Sequence, residues 1–185
     1  MMSLIDAGNC FFLIIDIQDK LIKHIENKDD VVNSAITTID IFKNLKLPVL
    51  CSEQYPQGLG NTISQIDVLI EKLKVPKIFK TSFSCYGSKE NIQVINSFKK
   101  KQVIISGIET HICVLQTAFD LKKNGYDVFV LTDGVGSRNK TDSKLGKKRL
   151  SSAGVSLINI EMMIFELTRD SKHDKFKYFS QNFIK

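Results

Sequence analysis

Three side chains in this 185-residue chain have the types that nucleophilic chemistry needs: the thiol of Cys113, the carboxylate of Asp16 and the ammonium of Lys80. Cys113 lies in SGIETHICVLQTAFDL, where an apolar helical pattern begins a few residues after a short apolar run. A thiol at a helix N-terminus feels the positive end of the helix dipole and sits among unpaired backbone N–H groups. That setting favours a thiolate and offers donors to an oxyanion. The same position also suits a small buried residue, because free cysteines often pack as apolar side chains. Asp16 ends the wholly apolar run Phe11-Phe12-Leu13-Ile14-Ile15, so its carboxylate stands at the top of a buried segment. Burial raises a carboxyl pKa unless a cation stands beside it, which makes the group a candidate base. Lys80 follows Ile78-Phe79 and can supply that cation, although either charge taken alone also reads as a solvated strand end. Lys77 competes for the lysine role but precedes the apolar pair.

The remaining cysteines read differently. Cys10 and Cys51 fall in or beside apolar runs and read as core, while Cys85 falls in a loop and is ambiguous. With four widely spaced cysteines and no C-x-x-C pair, neither a disulfide framework nor a cysteine-rich zinc site is indicated. His24, His111 and His173 are not spaced as paired ligands on a helix, so a histidine-rich metal site is not expected. Gly134-Val135-Gly136 lacks both nucleotide-binding glycine fingerprints, and no cofactor is expected. Asp133, Ser137 and Arg138 read as residues that fix the loop around it.

The elements that must position these residues alternate. Strands are expected at residues 11–15, 47–51, 75–79, 103–105, 127–131 and 155–160. Helices are expected at about 30–46, 66–73, 89–100, 111–124 and 140–153, with two short helical segments closing the chain. Strand followed by helix, repeated about five times, implies a three-layer α/β/α fold around a central, mostly parallel six-stranded sheet of Rossmann-like type. No linker, repeat or low-complexity stretch divides the chain, so residues 1–185 read as a single domain. Ligands in such sheets bind beyond the carboxyl ends of the strands, which is where Asp16, Lys80 and Gly107 to Cys113 fall.

Composition narrows the class. Hydrophobic residues make up 43% and charged residues 25%, the balance of an ordinary globular protein. A net charge of +6 could attract nucleic acid, but the basic residues are dispersed and lack interleaved aromatics. Nucleic acid is therefore an unfavoured partner that stays open. The opening MMSLIDAGNCFFLIID has no basic leader, and its apolar run is too short to span a bilayer, so no membrane partner and a cytoplasmic location are expected.

LIIDIQ around Asp16, KTSFS around Lys80 and GIETHICVLQTAFDL around Cys113 together resemble the isochorismatase-like cysteine hydrolases. The likeness extends to CSEQYPQGLGNT, to VFVLTDGVGSRN and to the tail EMMIFELTRDSKHDKFKYFSQNFIK, and it is greatest to the isochorismatase domain-containing branch. It implies an isochorismatase-like hydrolase fold and an Asp16-Lys80-Cys113 triad in which a thioester-type intermediate forms on Cys113. It also implies a cis peptide at Ile108–Glu109, with backbone N–H groups near Glu109 and Cys113 directed at the oxyanion. The expected reaction is metal-independent cleavage of an amide-like C–N bond in a small molecule. Nicotinamidase relatives carry a metal-binding Asp-x-His where this chain has Glu53-Gln54-Tyr55, hence no catalytic metal is expected. Tyr55, Phe83 and His111 are candidates to line the substrate pocket. Homo-oligomers are common in the family, and the apolar segment from Phe176 to Phe183 is a candidate contact with a partner subunit. The alternative is a binding or scaffolding protein on a retained hydrolase fold, with RNA as its candidate contact.

Overall fold

A computed structural model describes residues 4–184. Six strands form one sheet: β1 (Cys10–Ile15), β2 (Val49–Gln54), β3 (Lys77–Lys80), β4 (Gln102–Ile108), β5 (Asp127–Gly136) and β6 (Ser156–Ile158). Their order is β3-β2-β1-β4-β5-β6, and every neighbouring pair runs parallel. The chain direction across the sheet reverses at β1, so a crevice opens between the carboxyl ends of β1 and β4. All six residues of β1 are buried, as a central strand covered on both faces requires.

Helices α1 (Asp19–Ile22), α2 (Lys28–Leu45), α3 (Pro56–Leu59), α4 (Ser64–Lys72), α5 (Lys89–Ser97), α6 (Leu115–Lys123), α7 (Lys140–Ser152), α8 (Ile160–Thr168) and α9 (Phe176–Phe183) complete the described residues. Two apolar clusters separate by strand periodicity. Phe12 and Ile14 pack with α2, α4, α8 and α9 on one face, whereas Phe11, Leu13 and Ile15 pack with α5, α6 and α7 on the other. Local signals set several helix ends: the Ser88 side chain accepts from the Asn91 N–H, and Asn159 accepts from that of Met162.

The architecture agrees with the expected one, and the differences fall at the element ends. β2 begins at Val49 and continues through Ser52, Glu53 and Gln54, three residues beyond the expected end at Cys51. β3 starts at Lys77 and reaches Lys80, after Pro76 has supplied a residue that cannot donate to a ladder. β5 extends to Gly136 through an irregularity opposite Ile105 to Gly107. The helix expected from His111 begins instead with a π-helical turn over Thr110–Val114, and regular α-geometry starts only at Leu115. The tail helix α9 spends its apolar face within its own chain: Phe179 is fully buried in the α2 cluster, with Phe183 packed against it. Its part in a subunit contact is thereby reduced to the exposed side.

Candidate active site

Asp16 closes β1 with a φ of 54°, a left-handed conformation that non-glycine residues adopt mainly where the surroundings enforce it. Strict alternation from Phe12 and Ile14 would carry its side chain to the α2 face. The left-handed turn swings it to the opposite face, where Ser52 Oγ donates to Oδ1 at 2.7 Å and Lys80 Nζ to Oδ2 at 2.6 Å. Both side chains of the Asp16–Lys80 pair have 0% solvent exposure. Lys80 Nζ also donates to Gln54 Oε1 at 2.6 Å. Gln54 is held in turn by Gln18, which accepts from the Gln54 N–H at 2.7 Å and donates to the carbonyls of Gln54 and Gly60. The lysine thus reaches from the sheet edge across β2 to β1 over a floor of polar side chains.

The competing lysine faces away. Lys77 pairs with Asp67 and Glu53 on the other face of the sheet, as the period of two along β3 dictates. Glu53 also accepts from the N–H and hydroxyl of Thr62 at 2.9 and 2.8 Å, so its carboxylate serves a structural cluster. Of the Glu53-Gln54-Tyr55 segment, only Gln54 joins the Asp16 network directly. Among the described residues no group of three His, Cys, Asp or Glu side chains is disposed to hold a metal ion.

Cys113 approaches from the far side of the crevice, at the end of the π-helical turn, and is 7% exposed. The turn is marked by the Val114 N–H bonding to the Glu109 carbonyl five residues back, at 3.2 Å. Its thiol faces the Asp16 carboxylate closely enough for the two groups to interact. The Ile108–Glu109 peptide is cis. Gly107, at φ 135°, lies so close to β1 that a Cβ there would stand 2.1 Å from the Ile15 carbonyl oxygen. Only glycine lets β4 bring the turn this near to Asp16. On the outer side the Glu109 carboxylate accepts from Arg138 N and Nε, both at 3.1 Å, which ties the turn to the loop after β5. Gly146 of α7 meets the His111 backbone closely enough that a Cβ would lie 3.1 Å from it.

The electrostatics of the group modify the expected picture. Burial pushes the Cys113 thiol well above its ordinary range and the negative Asp16 adds to that, while Lys80 only partly compensates. Burial is the largest cause, so the site disfavours the thiolate that a helix start favours. Burial likewise raises the Asp16 carboxyl, with Lys80, Ser52 and Cys113 pulling it back. For Lys80, burial disfavours the charge but Asp16 restores it, and the net shift is upward. A base with a raised pKa facing a thiol can accept the proton as the sulfur attacks.

A cavity of about 550 Å³ opens beside Lys80, with Tyr55, Phe79, Thr81, Ser82 and Ser88 among its lining residues. Tyr55 lies at this cavity, whose lining includes Lys80 but neither Asp16 nor Cys113. Phe83 and His111 are not among the residues lining it: Phe83 is 53% exposed, and the His111 Nδ1 pairs with Ser137 Oγ at 3.0 Å. Ser52, Gln54, Gln18 and Thr117 form contacts that the sequence reading did not anticipate. Their signal was the period of two, since Ser52 and Gln54 share a face with Leu50, toward the Asp16 carboxylate.

The family described as "Isochorismatase domain" matches residues 10–162. The chain belongs to the isochorismatase family. Among curated relatives, isochorismatase family protein 1A of Dictyostelium discoideum is 40% identical over 179 residues, covering 94% of this chain and 85% of that protein. Isochorismatase domain-containing protein 1 of Salmo salar is 32% identical over 183 residues, covering 99% of this chain and 63% of that protein. Among solved structures, the MAR1 ribonuclease of Caenorhabditis elegans superposes with a TM-score of 0.89 at 33% identity, covering 99% of this chain and 93% of that one. Family membership, the domain-containing branch and the isochorismatase-like hydrolase fold agree with the resemblance seen in the motifs.

Proposed function

We propose that this isochorismatase-family chain is a metal-independent cysteine hydrolase that cleaves an amide-like C–N bond of a small molecule through Asp16, Lys80 and Cys113. The observation that carries this reading is the fully buried Asp16–Lys80 ion pair, with the Cys113 thiol interacting with the same carboxylate. In the proposed sequence Asp16 takes the thiol proton while Sγ attacks the carbonyl carbon, so no free thiolate has to persist in a buried site. Lys80 holds Asp16 ionised until that moment and then stabilises the protonated pair. Backbone N–H groups near Glu109 and Cys113 receive the developing oxyanion. The Asp16 proton passes to the departing nitrogen, which an amide needs because its anion is a poor leaving group. Water, with Asp16 again as base, then hydrolyses the thioester.

A panel of small amides with ammonia detection tests the reading. Turnover that disappears in Cys113→Ala and falls by about 10²- to 10⁴-fold in Asp16→Asn supports it. Turnover that survives Cys113→Ala overturns it. The four thiols are free and buried, which fits a reducing, cytoplasmic compartment, and cell fractionation checks this. No helix among the described residues is long and apolar enough to cross a membrane. A homo-oligomer is proposed from the exposed Tyr55 and Phe79 at the cavity and the exposed Phe83 in the loop after β3, and sedimentation measures it.

A second reading, binding of RNA on the hydrolase fold, is favoured by the 33% identity to a protein described as a ribonuclease together with the charge of +6. Salt-dependent binding of single-stranded RNA that persists in Cys113→Ser supports it, and no binding at low salt removes it.

A further inference from the structure

The proposed mechanism leaves one nucleophilic side chain in the site without a task. Cys85, in the loop between β3 and α5, is fully buried and belongs to the same apolar cluster as Cys113. Its backbone N–H donates to Thr117 Oγ1 at 2.9 Å. Thr117 follows Cys113 by four residues, so the two side chains stand one above the other on one helical face. Ser52, whose hydroxyl donates to the Asp16 carboxylate, and Thr117 both act on the Cys85 thiol, and the same carboxylate acts on the Cys113 thiol. Cys85 is thereby anchored one helical turn from Cys113, within the same apolar cluster. Cys10 and Cys51 lie in the other apolar cluster, on the opposite face of the sheet.

We infer that Cys85 is a resolving thiol that captures oxidised Cys113 as an intramolecular disulfide. The inference rests on Cys113 being the reactive sulfur of the proposed hydrolase. A hydroperoxide is the oxidant: its O–O bond breaks as Cys113 Sγ takes one oxygen, leaving a sulfenic acid and releasing water or an alcohol. Cys85 Sγ then attacks the sulfenyl sulfur, the S–O bond breaks, and the departing hydroxide leaves as water with the Cys85 proton. Two thiols are oxidised and one peroxide is reduced. Cys85 has no exposure to solvent whereas Cys113 is 7% exposed at the crevice, so peroxide reaches Cys113 and not Cys85. Capture as a disulfide stops the oxidation of Cys113 before the irreversible sulfinic acid.

The experiment treats the full-length chain with hydrogen peroxide, alkylates it and maps tryptic peptides without reduction. The expected product is a linked pair joining residues 81–89 to 102–122, absent after dithiothreitol, with iodoacetamide labelling of Cys113 lost on oxidation and restored on reduction. In Cys85→Ala, Cys113 is expected to advance to sulfinic acid and to stay blocked after dithiothreitol. Sulfinic acid on Cys113 in the unsubstituted chain without a linked peptide overturns the inference, as does a link from Cys113 to Cys10 or Cys51. A parallel alkylation before peroxide separates the two readings. Cys113 that alkylates yet forms no link sinks the resolving role alone, whereas Cys113 that neither alkylates nor oxidises sinks the nucleophile assignment and the resolving role with it.

Discussion

Replacing Lys80 by Met removes the ammonium and leaves the Asp16 carboxylate in a site with no exposure to water. Breaking a buried ion pair from one side costs about 3–5 kcal/mol, because the remaining charge loses its partner and stays desolvated. At about 1.36 kcal/mol per factor of ten, the ratio of folded to unfolded chain falls by about 10²- to 10⁴-fold. With a urea slope of about 2 kcal/mol per molar, the unfolding midpoint drops by about 2 M. The pH dependence has a definite sign. Without Lys80, burial still raises the Asp16 carboxyl and its main opponent is gone, so the folded chain holds a proton that the unfolded chain releases near pH 3.9. The deficit relative to the parent is then smallest below about pH 4 and grows as pH rises toward the raised folded value. Adding Asp16→Asn leaves no buried charge, and asparagine tolerates the left-handed backbone, so the double variant should recover most of the lost stability and none of the activity. Urea denaturation of the four chains at several pH values is the assay. A single variant as stable as the parent, or a double variant no better than the single, refutes the reasoning.

Hydrolysis by the parent chain should rise with pH along a limb set by Asp16. Burial first, against Lys80 and the hydrogen bonds, raises that group, so the midpoint should lie above the ordinary carboxylate value of about 3.9; a rate profile with its midpoint at or below that value contradicts the assignment. Gly107→Ala drives a Cβ into the Ile15 carbonyl at a φ of 135°, and about 3 kcal/mol of lost stability, read as a Tm lower by about 6–12 °C, is expected by calorimetry. Iodoacetamide applied to the folded chain should label Cys113 alone, because Cys10, Cys51 and Cys85 are fully closed to solvent while Cys113 is 7% exposed. Equal labelling of Cys51 and Cys113 counts against a special role for Cys113.

Much of the fold was legible because its signals are local. The unbroken apolar run of β1 and the alternation of short apolar and longer amphipathic segments define a parallel sheet between helices. Where the reading stopped short, it did so for one reason. β2 continues through Ser52 and Gln54 because Asp16 and Lys80 satisfy those side chains and Gln18 accepts from the Gln54 backbone N–H. Hydropathy alone ends the strand at Cys51, since nothing in the linear pattern announces partners 26 to 36 residues away. The π-helical turn before α6 escaped for the same reason: it is set by Glu109, Gly107 and the contact of Gly146 with His111, not by helix propensity.

By itself the sequence determined the order of strands and helices, the family and the three residues at strand ends, because apolar periodicity and short motifs are properties of neighbouring residues. Tertiary structure alone decided which lysine meets Asp16, that burial disfavours the Cys113 thiolate, and that a second cysteine shares its surroundings. Those outcomes depend on burial and on distances between segments far apart in the chain, and only the packed sheet brings those segments together.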